Sequence, residues 1–133
     1  EVNVELKGPR TAAPVVSLLL RRERVDRVIL SSFEWKQLGE VRKLSDVSVA
    51  VLVRHVGQFT KGLDLAESLG ALWINLGLNI LTSARVASAH GRGLLVASYT
   101  VKSIVDLKKV LASGADACFA DDPEMVIDFL CDM

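Results

Sequence analysis

Val49-Ala50-Val51-Leu52-Val53 is the stretch that decides the fold. Three of its five apolar residues are β-branched, which favours a strand. Side chains alternate across a strand, so a run this apolar needs cover on both faces. Strands covered on both faces belong to parallel sheets flanked by helices. Working outward, comparable runs recur at residues 2–6, 27–30, 47–53, 71–74, 94–97 and 115–119. Centred on Val4, Ile29, Val51, Trp73, Val96 and Ala117, they repeat about every 22 residues. That period holds a strand, a loop and a helix of about 10–12 residues. Alternating βαβα with short connections implies a parallel sheet.

The helices between the runs are legible. Leu38, Val41 and Leu44 repeat at helical spacing in residues 34–44. Leu63, Leu65, Ala66 and Leu69 form a stripe that Gly70 ends. Thr82 opens residues 82–90, closed by Gly91. Ser103 opens residues 103–113, with Ile104, Leu107, Val110 and Leu111 expected inward and Gly114 at the stop. Asp122-Pro123-Glu124 supplies an N-cap and a proline at the first helical position. With no linker, low-complexity segment or charge block, residues 1–133 read as one domain of about six β/α units.

Composition excludes several function classes. The 133 residues balance 16 Lys+Arg against 16 Asp+Glu, with a pI near 7.0. A nucleic-acid binder normally shows a basic stripe, and a peripheral membrane anchor a polybasic cluster. An apolar content of 50% is too high for a disordered chain. Yet no apolar run reaches the roughly 20 residues that cross a bilayer. The longest apolar cluster, residues 12–20, is cut off by Arg21-Arg22-Glu23-Arg24. The chain opens on Glu1 without a signal-peptide pattern, so it reads as a trimmed or internal piece, and a cytoplasmic location is expected. Cys118 and Cys131 suggest two partly buried thiols rather than a metal site, with a disulfide between them as the alternative.

Polar residues collect where the strands end. They are Glu5 and Lys7, Ser31-Ser32-Phe33, Arg54-His55, Asn75, Tyr99-Thr100 with Lys102, and Asp121-Asp122. Ligands bind at the carboxyl ends of strands in both barrels and open α/β sheets. Glu5 and Lys7 are two apart, so they face one way while Leu6 packs the other. A carboxylate there can bind a hard divalent cation, and a lysine can hold a phosphate oxygen as a point charge. The alternative is a self-satisfied Glu–Lys pair. Phe33 and Tyr99 can shape an apolar wall beside a polar site, or simply pack. His55 lies in the loop class of an acid–base residue, whereas His90, near a helix C-terminus, reads as structural. Trp73 reads as core and Trp35 as cover for the rim. For Lys7 or Lys102 as a Schiff-base lysine no desolvating partner is legible. No HExxH, GxSxG, GxGxxG or Walker A pattern occurs.

These residues carry a family resemblance. Val2-Asn3-Val4-Glu5-Leu6-Lys7 resembles the Glu-Leu-Lys strand of the glycerophosphodiester phosphodiesterases, and Val28 to Phe33 resembles their Ser-Phe strand. Ala71 to Leu81, followed by Thr82 and Ala89-His90, is similar to their sixth strand and the helix after it. Leu95 to Lys102 resembles their Trp-Thr-Val-Asn strand, and Gly114 to Pro123 their closing Gly-Val-Asp-Gly-Ile-Ile-Thr-Asp-x-Pro. The matches run in the family's order over nearly the whole chain.

The resemblance implies a (β/α)8 TIM barrel of which this chain holds strands three to eight. It implies hydrolysis of glycerophosphodiesters to an alcohol and glycerol 3-phosphate with a divalent metal, Mg2+ or Ca2+. By the same token, Glu5 matches a metal carboxylate, Lys7 a lysine on the phosphate or glycerol, and Phe33 and Tyr99 the pocket lining. The family's His-Arg-Gly, Glu-x-Asp and His-Asp segments supply its histidine pair and two further carboxylates, and none occurs in these residues. The 133 residues alone are therefore expected to be inactive. Tyr99 stands where the family has Trp, Lys102 where it has Asn, and Ala120 where it has Thr. The alternatives are a non-catalytic barrel that keeps a phosphate pocket, and an unrelated α/β enzyme. A partial barrel also exposes strand edges, so association with a second copy is expected.

Overall fold

The computed structural model describes residues 1–133. Six strands, β1 (Val2–Glu5), β2 (Val28–Ser32), β3 (Ser48–Val53), β4 (Trp73–Gly77), β5 (Leu95–Val101) and β6 (Ala117–Ala120), form one sheet in chain order. Every neighbouring pair is parallel. Each strand is followed by a helix: α1 (Ala12–Arg21), α2 (Trp35–Leu44), α3 (Phe59–Ser68), α4 (Ser83–His90), α5 (Ile104–Ser113) and α6 (Pro123–Cys131). Thr82, Ser103 and Asp122 cap α4, α5 and α6, each side chain accepting an amide three residues on, at 3.3, 3.2 and 3.1 Å.

One sheet face packs on the helices. Val49, Val51 and Val53 of β3 and Ile74 and Leu76 of β4 are fully buried there, against Leu38, Leu63 and Ala66. The other face is concave. Phe33 follows β2 and Tyr99 lies on β5, yet their ring centroids are 5.7 Å apart. In a flat sheet three strand spacings, about 14 Å, would separate those strands. The sheet is therefore curled into part of a barrel wall, with the strand carboxyl ends gathered at one mouth.

Several expectations need correction. β4 and β5 outrun their apolar stretches at residues 71–74 and 94–97, so Asn75, Tyr99 and Thr100 lie inside strands rather than in loops. The reason is the concave face, which accepts polar side chains at every second position and so breaks up the apolar run. Leu44 and Leu111 are exposed: Leu44 is the last residue of α2, and Leu111 lies about 100° around α5 from the buried Val110, on the flank of the apolar stripe. Residues 12–20 form most of α1, which buries Ala12 and Val16. Both cysteines are free thiols, and Cys131 is exposed rather than partly buried.

Candidate functional site

The gathered strand ends surround a cavity of about 550 Å³. Glu5, Lys7, Phe33 and Tyr99 all line it, together with Ser31, Arg54 and Phe119. Residues from the first and last strands thus face one space.

At the end of β1 the alternation holds as expected. Lys7 Nζ lies 3.6 Å from a Glu5 carboxylate oxygen, and Leu6 between them is buried on the helix side. A pair this solvated stabilises little, so an incoming oxyanion can compete for Lys7. The loop carrying Lys7 is held by Gln37 of α2. Its Oε1 accepts from the Thr11 amide, the Thr11 hydroxyl and the Ala12 amide, each at 3.0 Å. Its Nε2 donates to the Gly8 carbonyl. Sequence reasoning missed Gln37. The available signal was a polar residue one turn before Val41, on the buried face of the helix.

The aromatic wall is an edge-to-face pair, with Phe33 and Tyr99 at an interplanar angle of 83°. Tyr99 donates its hydroxyl to the Val53 carbonyl at 2.7 Å. Burial pushes the phenol up to about 12, opposed by the charge of Arg54 and aided by that of Glu5. Arg54 itself lies over the Phe33 ring, 4.3 Å from its centroid. Ser32 donates to the Leu6 carbonyl at 2.7 Å and pins β1 to β2, whereas the buried Ser31 hydroxyl has no partner.

Other candidates fall away from the cavity. His55 is exposed after β3 and does not line it. His90 sits 2.8 Å from Asp116, whose carboxylate also accepts from the Val96 amide at 2.7 Å, and it ties α4 to the start of β6. Burial works to raise the Asp116 carboxyl, but the Val96 amide and His90 outweigh it and hold the group below its ordinary range. Lys102 pairs at 3.9 Å with Asp121 outside the cavity. Trp35 does not line the cavity: it packs against the helix-side core beside Gly62 of α3, its indole donating to the Leu52 carbonyl at 2.9 Å. Trp73 is not in the helix-side core. It lines a second cavity of about 230 Å³ on the concave face with Ala50, Asn75 and Phe119, and its buried indole N–H has no partner.

The donor set does not by itself fit a divalent cation. No three His, Cys, Asp or Glu side chains converge, and Glu5 faces its own lysine. A hard cation takes six or more oxygen ligands, and one carboxylate does not hold it. No helix is long and apolar enough to cross a membrane.

Comparison with known proteins covers this whole assembly. The model of the glycerophosphoryl diester phosphodiesterase family matches residues 5–125. A phosphodiesterase of Oleispira antarctica in complex with the product sn-glycerol-3-phosphate is similar over 98% of this chain and 55% of that one, at 22% identity and a TM-score of 0.84. A Galdieria sulphuraria protein, named a glycerophosphodiester phosphodiesterase, is similar over 97% and 56%, at 23% identity and 0.85. The glycerophosphodiester phosphodiesterase of Parabacteroides distasonis is similar over 98% and 57%, at 17% identity and 0.79. The chain spans about half the length of these solved structures. At such identities the likeness establishes the fold, a portion of a TIM barrel. Comparison with curated protein sequences gives no match.

Proposed function

The chain belongs to the glycerophosphoryl diester phosphodiesterase family, and from that membership we propose that it forms the substrate-binding part of a site that hydrolyses glycerophosphodiesters to an alcohol and glycerol 3-phosphate. The observation that carries this reading is the convergence of Glu5, Lys7, Phe33 and Tyr99 on one cavity at the strand carboxyl ends.

Each residue has a role that its surroundings allow. Lys7 Nζ, largely exposed and held only by the Glu5 carboxylate at 3.6 Å, turns to a phosphoryl oxygen. Phe33 and Tyr99 pack the carbon skeleton and keep water from that side. The Tyr99 hydroxyl is committed to the Val53 carbonyl, so it moves no proton. No histidine lines the cavity, so proton transfer falls to groups these residues do not supply. Glu5 joins a Mg2+ or Ca2+ site only together with further ligands from beyond this chain's own donor set. These residues therefore bind but do not hydrolyse.

Titration with sn-glycerol 3-phosphate, followed by calorimetry, tests the binding role. Saturable binding is expected, weakened about tenfold in Lys7→Ala, the loss of one charge-assisted contact. Glycerol alone is expected not to bind. Equal affinity in wild type and Lys7→Ala would remove Lys7 from the site. For catalysis, the barrel completed by segments that carry the other carboxylates and a histidine pair is expected to hydrolyse a glycerophosphodiester only with a divalent cation. Glu5→Ala should abolish that turnover, and unchanged turnover would exclude Glu5. The lack of converging metal ligands also fits a second reading, a non-catalytic phosphate-binding barrel. Failure of the completed barrel to turn over would favour it.

A further inference from the structure

Two cations line the main cavity, and they are not equivalent. Lys7 is engaged by Glu5 at 3.6 Å. Arg54, at the end of β3, makes neither an ion pair nor a side-chain hydrogen bond. Its guanidinium is held instead over the face of Phe33, 4.3 Å from the ring centroid, and Phe33 is buttressed in turn by the edge of Tyr99. A guanidinium stacked on a ring is fixed in orientation while its N–H edge stays free for a planar oxyanion.

The sheet order sets out what a bound diester would meet. Lys7 follows β1, Phe33 follows β2 and Arg54 follows β3. A ligand whose phosphate contacts Lys7 and whose alcohol crosses Phe33 ends at Arg54, two strand spacings or about 10 Å of backbone away. Curling of the sheet brings the side-chain tips closer than that. The aromatic face is also where an ammonium-bearing alcohol would otherwise sit, by cation–π attraction. Here the chain's own cation already covers it.

We propose that Arg54 is a specificity-determining residue of this site: it selects diesters whose alcohol carries a carboxylate or other oxyanion, and excludes those whose alcohol carries a quaternary ammonium. This inference rests on the diester-site reading and adds the class of alcohol.

The test is a binding titration of the full chain at low ionic strength with two probes. One is the glycerophosphodiester of 3-hydroxypropionate, and the other is that of choline. Wild type is expected to prefer the carboxylate probe by about tenfold. Arg54→Gln removes the charge and uncovers Phe33. It should weaken the carboxylate probe and strengthen the choline probe, so that the preference collapses or inverts. Because the Arg54 side chain makes no ion pair or hydrogen bond and only the stacking contact with Phe33, the substitution is expected to move the thermal transition only slightly, which the same samples can show. An unchanged preference in Arg54→Gln, or a wild-type preference for choline, overturns the proposal while leaving the diester reading intact. If neither probe binds wild type, the diester reading falls and this inference with it.

Discussion

Tyr99 shows how one residue serves both the wall of the cavity and the fold. Its hydroxyl closes the concave face by donating from β5 to the Val53 carbonyl at the end of β3. Burial puts its phenol at about 12, against the pull of Arg54 and with the help of Glu5, compared with roughly 10 in an unfolded chain. A raised value means that the native state resists ionisation. The stabilisation is complete below pH ~10 and is lost as pH climbs from there toward 12. Thermal unfolding of wild type should therefore steepen in that window. Tyr99→Phe should start about 1 kcal/mol less stable at neutral pH and fall less steeply above pH ~10. Parallel curves would mean that the phenol ionises alike in the folded and unfolded states. Gln37 makes the companion case. It satisfies the first amides of α1 from 25 and 26 residues away, so Gln37→Leu should cost about 2–3 kcal/mol and speed exchange of the Thr11 and Ala12 amides. Normal protection of those amides in the variant would sink the idea. Glu5 and Lys7 could be read from the sequence because a strand's period of two is local. Gln37 could not, because its partners are backbone groups whose position only the folded sheet decides.

Among the elements, helix ends are legible where a glycine or an N-cap marks them; α2 is legible without either, from the spacing of Leu38, Val41 and Leu44, whereas the end of α1 is not. α3 and α1 end in the same way. After α3, Gly70 (φ 58) donates to the Glu67 carbonyl and Ala71 to that of Ala66, at 3.0 and 2.8 Å. After α1, Glu23 (φ 50) donates to Leu20 and Arg24 to Leu19, at 3.2 and 3.1 Å. Both are the left-handed termination that favours glycine. Only the first announces itself in the sequence, and residues 21–24 read instead as a charged interruption. The left-handed conformation costs a residue with a Cβ about 1–2 kcal/mol. Glu23→Gly should therefore stabilise the chain by about 1 kcal/mol, and Gly70→Ala should destabilise it by a similar amount, in denaturant unfolding at constant m-value. A destabilised Glu23→Gly would show that contacts of the glutamate outweigh its backbone strain. The strand limits follow the same logic. β3 is apolar on both faces and its limits are legible almost to the residue, whereas β4 and β5 carry Asn75 and Tyr99 on the concave side, so their apolar runs stop short of the strand ends.

At the scale of the whole molecule, the 22-residue period led to the parallel sheet and its order, since consecutive β/α units pack side by side. The curl is not legible in that period and enters only through the family resemblance, because it depends on how side chains fill the concave face, and Phe33 meets Tyr99 only after three strands have turned. Curling leaves a consequence at the two ends of the sheet. β1 pairs only with β2, and β6 only with β5, so each carries an unpaired backbone edge in these 133 residues. Apolar groups flank both. Val2 on β1 is 59% exposed, and Ile127 and Leu130 of α6 are 59% and 46% exposed. An open strand edge beside apolar surface is a template for pairing with another chain. The free chain of these residues is therefore expected to self-associate, its mass by light scattering rising with concentration. A charge on the edge opposes such pairing, so Val2→Lys should shift the rise to higher concentration. Val56→Lys should not, because Val56 is equally open but follows β3 in the middle of the sheet. A constant monomer mass would refute edge pairing outright, and an equal response to both substitutions would move the contact away from β1.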